Sequence, residues 1–235
     1  MSQFSQRSTQ KEWMDDLESS GPVLQQTLKE LKTINRWLGG NKVTLTGLKK
    51  LMEQSPQESY HLTDMGCGGG DMIRIMSDWA QKEKIIVNFE GIDANANIIE
   101  LAKERQKELT QVHWKVQNVF DQEFQDDPCD IVTCTLFTHH FTDQELVALL
   151  ESIRKKARIG MVVNDLHRHP FAFYSIRILT SLFSNSPMVR HDASLSVLRS
   201  FSREDWERIL RLAGITQYQI RWYWAFRWQI LISFN

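Results

Sequence analysis

The sequence predicts an α/β fold, a doubly wound and mostly parallel sheet finished by an antiparallel hairpin, and three observations carry that prediction. From Tyr60 onward, strand-like apolar runs alternate with runs of helical periodicity. A glycine-rich turn, DMGCGGGD at Asp64–Asp71, lies where the first of these strands enters a helix. The last two strand-like runs, QYQIRWYW and RWQILISF, follow each other closely enough to pair as a hairpin.

Before about Tyr60 the pattern is helical only. Leu24, Leu28, Leu31, Ile34 and Leu38 recur at spacings of three and four, with Pro22 near the start and Gly39 and Gly40 as a stop. A shorter helix over Leu45–Met52 is ended by Pro56. Then come the strand YHLTDMG, the helix DMIRIMSDWAQK, the strand VNFEGIDA and the helix NANIIELAKERQKEL. The strands HWKVQNV, CDIVTCTLF and IGMVVNDL continue the theme, and the helix between the last two opens on a capping box, Thr142 with Glu145. Between Pro170 and Phe201 lies an insertion, aromatic and helical at first and polar afterwards. The helix SREDWERILRLAGI, stopped near Gly214, leads into the hairpin. The chain thus divides into an N-terminal helical cap, 1–57, and an α/β domain, 58–235, whose insertion at about 170–200 is placed to act as a lid.

Composition limits the function. A chain of 235 residues can bury a sizeable core in one large domain. The net charge of -1 leaves no broad basic field for gripping nucleic acid, so a small-molecule partner is expected. Cys67, Cys129 and Cys134 are odd in number and follow no CxxC spacing, which argues against a disulfide framework and against a zinc knuckle. A reducing, cytoplasmic setting is the expectation. No secretory signal is visible in the polar first residues, and the apolar run PFAFYSIRILTSLF is too short for a membrane span and carries Arg177. A monomer or a homodimer fits equally well.

In a doubly wound sheet, ligands bind at the carboxyl ends of the strands. A strand breaking into a glycine turn there lets backbone N–H groups approach a ligand, and the following helix N-terminus favours negative charge. A dinucleotide fingerprint, GxGxxG, would require glycine at position 71, where Asp71 stands. Asp93 ends the next strand, about 20 residues on, the place from which a carboxylate accepts the two hydroxyls of a ribose; a helix N-cap is its alternative role.

What the glycine turn does match is D-x-G-x-G-x-G, through Asp64, Gly66, Gly68 and Gly70. In this the sequence resembles the class I S-adenosylmethionine-dependent methyltransferases. The resemblance implies a seven-stranded, Rossmann-like methyltransferase sheet and S-adenosylmethionine as cofactor, with S-adenosylhomocysteine as product. It places the cofactor against Asp64, Gly66, Cys67, Gly68, Gly70 and Asp71, the acidic groups facing the ammonium of the methionine end, and against Asp93 and Ala94 at the ribose. Asn118 and Val119 stand where family members carry an aspartate for the adenine amino group, with Asp121 arriving later. Thr135 and Phe137 fall beside the sulfonium. A narrower likeness runs through INRWLGG, LFTHHF, VVNDLHRHP and VRHDASLSVLRSF, similar to a bacterial, ubiquinone-biosynthesis-like subgroup associated with polyketide and aromatic-lipid pathways.

The acceptor site is expected at the same strand ends. Four of the seven histidines fall in two loops there: His139 and His140 after the fourth strand, His167 and His169 after the fifth. Methyl transfer from a sulfonium is an in-line displacement, so the protein must align acceptor, methyl and sulfur and take a proton if the acceptor is a hydroxyl. An imidazole of pKa about 6.5, oriented by a carboxylate, takes a phenol's proton more readily than water does. His139 or His140 is therefore the expected base, with His167 and Asp165 positioning the acceptor. Two histidines and a carboxylate could instead hold a metal, but neither an HExxH spacing nor an acidic cluster is present, and no metal is expected. Phe171, Phe173, Tyr174, Ile178, Leu179 and Phe183, with Trp13 and Met14 ahead of the first helix, are either core or an apolar acceptor pocket. Arg190 and Arg199 either hold an acidic group or pair with Asp192. The resulting expectation is a methyltransferase acting on a small apolar or aromatic acceptor, most simply at a phenolic or polyketide hydroxyl. An RNA or protein methyltransferase and a non-catalytic cofactor-binding protein are the alternatives.

Overall fold

The computed structural model describes residues 3–234. In chain order the elements are α1 (Gly21–Trp37), α2 (Gly40–Gln54), β1 (Ser59–Met65), α3 (Asp71–Glu83), β2 (Ile86–Asp93), α4 (Ala96–Arg105), β3 (Val112–Val116), α5 (Gln122–Asp126), β4 (Cys129–Thr135), α6 (Asp143–Lys156), β5 (Ala157–Leu166), α7 (Pro170–Phe183), α8 (Pro187–Arg199), α9 (Arg203–Leu212), β6 (Tyr218–Tyr223) and β7 (Arg227–Ser233). The strands form one seven-stranded sheet in the order β3-β2-β1-β4-β5-β7-β6. The first five are parallel, and β7 runs antiparallel to both β5 and β6. The order reverses between β1 and β4, which opens a crevice at their carboxyl ends.

Alternation along the central strands feeds two cores. Val132, Cys134, Met161, Val163, Ile230 and Ile232 face α6 and α9, while Ile131, Val162 and Leu231 face α2 and α3. Every residue from Cys129 to Cys134 is buried, as a parallel strand covered by helices on both faces requires. On one side α6 contributes Leu146, Leu149, Leu150 and Ile153, each burial stabilising by roughly 1.5–3 kcal/mol. The capping box read from Thr142 and Glu145 closes as expected, and Ser202 with Asp205 does the same for α9.

Three elements differ from their sequence-based description. The second helix extends back to Gly40, because Gly39 alone takes the left-handed conformation that separates it from α1. The polar half of the insertion is helical, as α8, started by the Ser186 side chain on the Val189 amide with Pro187 at the first position. A short 3-10 turn, Trp13–Asp15, forms ahead of α1. The helices before residue 57 do separate work: α2 packs its Val43, Leu48, Leu51 and Met52 side onto the sheet, while α1 lies against α8 and α4.

Candidate active site

A cavity of about 880 Å³ lies over the carboxyl ends of β1, β2 and β4. The glycine turn forms its wall because of two local constraints. Gly66 adopts φ +62°, and a Cβ there would lie 2.3 Å from the Phe137 ring, so glycine alone lets the loop after β4 close on the loop after β1. Gly70 adopts φ +72° at the start of α3, where a Cβ would meet Trp114 at 2.5 Å. Gly70 therefore shapes the turn from behind and does not line the cavity, unlike Gly66, Cys67 and Gly68.

The acidic residues are held in distinct ways. Asp64 is buried, and its Oδ1 accepts a 2.6 Å hydrogen bond from the Thr133 hydroxyl. Burial lifts its carboxyl to about 7, with the Thr133 bond acting the other way. Asp93 accepts from the amides of Gly68 (3.3 Å) and Asn95 (3.0 Å), which ties the ends of β1 and β2 together. Burial raises its pKa against those two bonds. Asp93 is not the cap of α4: Asn95 is, through the amides of Asn97 and Ile98. Asp71, in the first turn of α3, reaches Lys32 of α1 at 2.8 Å. All three line the cavity, as do Ala94, Asn118 and Val119. Asn118 is exposed, and its carbonyl oxygen already accepts from the Phe120 amide. The neighbouring Gln117 is buried, lines the cavity and has no partner for Oε1, a feature that local sequence does not signal.

On the opposite wall, Thr135 and Phe137 line the cavity, with the Thr135 hydroxyl 2.9 Å from that of Thr44. Leu136 between them takes φ +55°. The turn Thr138–His140 then brings two imidazoles into the cavity, each with a carboxylate on Nδ1. His139 Nδ1 lies 2.7 Å from Asp165 Oδ1, and Asp165 also accepts from the Thr138 hydroxyl and the His139 amide. His140 Nδ1 lies 2.5 Å from Asp15 Oδ1. Burial by itself would raise both carboxyls, but the paired histidines, with Arg199 at Asp15 and Thr138 at Asp165, hold them below the usual range.

His167 and Asp165 depart from the expected positioning roles. Asp165 is wholly buried behind His139 and does not line the cavity. His167 is not among the lining residues either: it pairs with Phe201 in an isolated bridge and packs on the Trp228 ring at 4.8 Å. Burial, with the charges of His169 and Arg168, takes its pKa down to about 4. His169 caps α7 by accepting from the Phe171 amide. Of the aromatic-aliphatic set, Phe171 and Leu179 line the cavity, Phe173 is core, and Tyr174, Ile178 and Phe183 face outward. Arg190 donates to the Ser184 carbonyl, and Asp192 accepts from the Trp13 and Met14 amides.

The residues missed by sequence reasoning come mostly from the segment ahead of α1. Glu12 is buried, and its Oε1 lies 3.6 Å from His139 Nε2 and 3.7 Å from Arg199 Nε. Burial lifts Glu12 to about 7, opposed by His140, the Ser196 hydroxyl and Arg199. Arg199 binds Asp15 at 2.5 Å and the His139 and His140 carbonyls, so α8, the leading segment and the histidine turn form one network. Glu12, His139 and His140 are the one group among the described residues whose ligand atoms could converge on a cation, lying within 4.8 Å of one another. The Arg199 guanidinium already stands beside that group.

A methyltransferase-domain family model matches residues 62–160, from β1 into β5. Residues 62–160 are thus similar to methyltransferase domains, and they hold the glycine turn, Asp93 and both histidines of the cavity. Over 72 residues the chain is 32% identical to a ubiquinone/menaquinone biosynthesis C-methyltransferase, UbiE, from Campylobacter jejuni, a stretch that covers 30% of this chain and 31% of that protein. The chain therefore spans about a third of the length of the curated relatives it matches. Among solved structures, human N-acetylserotonin methyltransferase in complex with S-adenosylmethionine superposes with a TM-score of 0.65 at 18% identity, covering 96% of this chain and 59% of that one. The plantazolicin methyltransferase BpumL, solved with S-adenosylhomocysteine and a triazolic desmethylPZN analogue, gives 0.62 at 16% identity, covering 84% and 72%. These likenesses extend the methyltransferase fold beyond residue 160, through the insertion and the hairpin. No helix among the described residues is long and apolar enough to cross a membrane.

Proposed function

We propose that the chain transfers a methyl group from S-adenosylmethionine to a hydroxyl of a small, apolar or aromatic acceptor, with His139 or His140 taking the proton. The observation that carries this reading is that one cavity holds both the Gly66–Gly68 turn with Asp93 and the two imidazole–carboxylate pairs. In this reading the cofactor's ribose hydroxyls bond to Asp93, its ammonium faces Asp64, and its adenine amino group donates to the free Gln117 Oε1. Thr135 and Phe137 would flank the sulfonium, and the histidine turn with α7 and α8 would enclose the acceptor; residues of all of these line the cavity. Each Nδ1–carboxylate contact fixes one tautomer and leaves Nε2 as the basic nitrogen. S-adenosylmethionine bound there would supply an electrophilic methyl group, and the imidazole would take the proton that the attacking hydroxyl gives up. Apolar lining by Met14, Leu28, Leu31, Phe171 and Leu179 favours an alkylated phenol or a polyketide over a polar acceptor.

The test is incubation of the protein with isotopically labelled S-adenosylmethionine and panels of phenols, quinols and polyketide acids, read by mass spectrometry. Labelled O-methyl products unaffected by a chelator are expected. Transfer to carbon would overturn the hydroxyl assignment, and cofactor binding without any product would favour a binding-only protein.

Asp64 gives this reading a pH signature. An Asp64 carboxyl lifted to about 7 keeps a proton in the free protein that the unfolded chain, with pKa near 3.9, has released. Its contribution to stability therefore falls as pH rises from about 4 to 7 and is constant above. An ammonium ligand prefers the ionised form, so affinity for S-adenosylhomocysteine rises by up to about tenfold per pH unit below 7 and levels off above it. The neighbouring thiols do not add a charge in this window: burial and nearby carboxylates push Cys67 and Cys134 well above their ordinary value. Calorimetry between pH 5.5 and 8.5 on wild type and Asp64→Asn checks this; the same slope in both proteins would remove Asp64 as its source.

A further inference from the structure

Arg227, at the start of β7, is 1% exposed and yet lines the cavity. Among the described residues no carboxylate lies within ion-pair distance of it, its Nε has no hydrogen-bond partner, and its one hydrogen bond runs from Nη1 to the Asn164 carbonyl oxygen at 3.3 Å. Its surroundings add positive potential. A Cβ placed on Gly40 would lie 2.8 Å from Arg227 Cζ, so the guanidinium rests against the first residue of α2. That 15-residue helix has no side-chain cap and no acidic residue in its first turn, so its dipole meets no charge there; of its first N–H groups that of Lys42 bonds to the Gly39 carbonyl, and the neutral Asn35 side-chain oxygen lies beside Gly40. A desolvated cation beside the positive end of a helix is unfavourable by itself and becomes favourable once an anion joins it. Among the described residues the titratable group that opposes it is Asp165, which acts at longer range; burial draws Arg227 down to about 10, so it remains charged at neutral pH.

We infer that Arg227 and the N-terminus of α2 form a binding site for one ligand carboxylate at the inner end of the cavity. The site connects to the methyl-transfer region through side chains. Asn164 Nδ2 donates to Thr44 Oγ1, whose hydroxyl meets that of Thr135 at the end of β4, and the Leu136 amide bonds to the Asn164 carbonyl. Two carboxylates could reach it: that of the cofactor's methionine end, or one carried by the acceptor. Arg190 and Arg199, the cations that the sequence offered for an acidic group, are committed to protein oxygens.

This inference rests on the cofactor reading, and the test separates the two. Calorimetry on wild type compares S-adenosylhomocysteine, its decarboxylated analogue and methylthioadenosine, which lacks the whole amino-acid end. If methylthioadenosine does not bind, the cofactor reading fails with it. A carboxylate from the cofactor predicts that the decarboxylated analogue binds at least about 30-fold more weakly than S-adenosylhomocysteine, and that Arg227→Gln removes this difference while Arg227→Lys restores part of it. A carboxylate from the acceptor predicts equal binding of the two cofactor forms, together with a thermal shift of the S-adenosylhomocysteine complex by acetate and none by acetamide. Equal binding with no acetate effect overturns the site. That measurement needs no variant, so it stands even where Arg227→Gln fails to fold.

Discussion

Turnover at saturating cofactor falls by about 10²–10⁴-fold when the imidazole that serves as base is replaced by alanine, the range that general base catalysis contributes. The geometry favours His139 for that role. Its Asp165 partner is wholly buried and is itself fixed by the Thr138 hydroxyl and the His139 amide, so the ring is held in one orientation. His140 leans on Asp15, a carboxylate from the segment ahead of α1 that Arg199 also binds. Single substitutions His139→Ala and His140→Ala, with kcat measured for each against the same acceptor, assign the base. His167→Ala serves as the comparison: it lies outside the cavity, and its turnover is expected to stay near that of wild type. Near-wild-type rates in both His139→Ala and His140→Ala would remove the proton-transfer role from this pair. Asp165→Asn adds a readout that simple loss of packing would not move. An amide there keeps the shape and loses the charge that stabilises an imidazolium, so the acid limb of the pH–rate profile shifts downward.

The second large effect is expected at Asp93. Asp93→Ala weakens S-adenosylhomocysteine binding by at least about 10–100-fold, the loss expected for even one hydrogen bond to a charged acceptor at roughly 1.5–3 kcal/mol. The carboxylate also receives the Gly68 and Asn95 amides, so part of any loss comes from the turn itself. A cofactor analogue lacking both ribose hydroxyls separates these contributions: the wild-type advantage over Asp93→Ala shrinks for the analogue in proportion to the direct contact. An advantage of the same size for both ligands would show that Asp93 only shapes the turn. Melting temperatures of the two proteins without ligand report how much the missing amide acceptor costs the fold.

Much of this molecule is written locally. The strands from Tyr60 to Leu166 were legible because central parallel strands are short apolar runs, and the intervening helices because their apolar residues recur with helical period. The glycine turn and Asp93 were legible for the same reason. Backbone conformations with positive φ, as at Gly66, Gly68 and Gly70, and a carboxylate at a strand end are set within a few residues. The helix α8 was harder to see, since its buried residues Met188, Val189, Asp192, Leu195, Val197 and Arg199 mix apolar and charged types and follow no single apolar stripe.

The arrangement around the acceptor depended on contacts between distant segments. Glu12 and Asp15 read as ordinary surface acids in a polar stretch, and only the packing of that stretch on α8 and the histidine turn places them beside His139 and His140. His167 shares a loop with other polar residues, but its pairing with Phe201 turns it toward Trp228 and away from the cavity. Arg227 is one of two arginines in the hairpin, and only the pairing of β7 with β5 buries it against α2. The sequence by itself determined the sheet, its glycine turn and the carboxylate that follows, because local backbone preference and apolar period decide them. Which histidines meet carboxylates, and which arginine is left without one, only the tertiary structure decided, because those pairings join residues more than a hundred positions apart or separated by a whole strand.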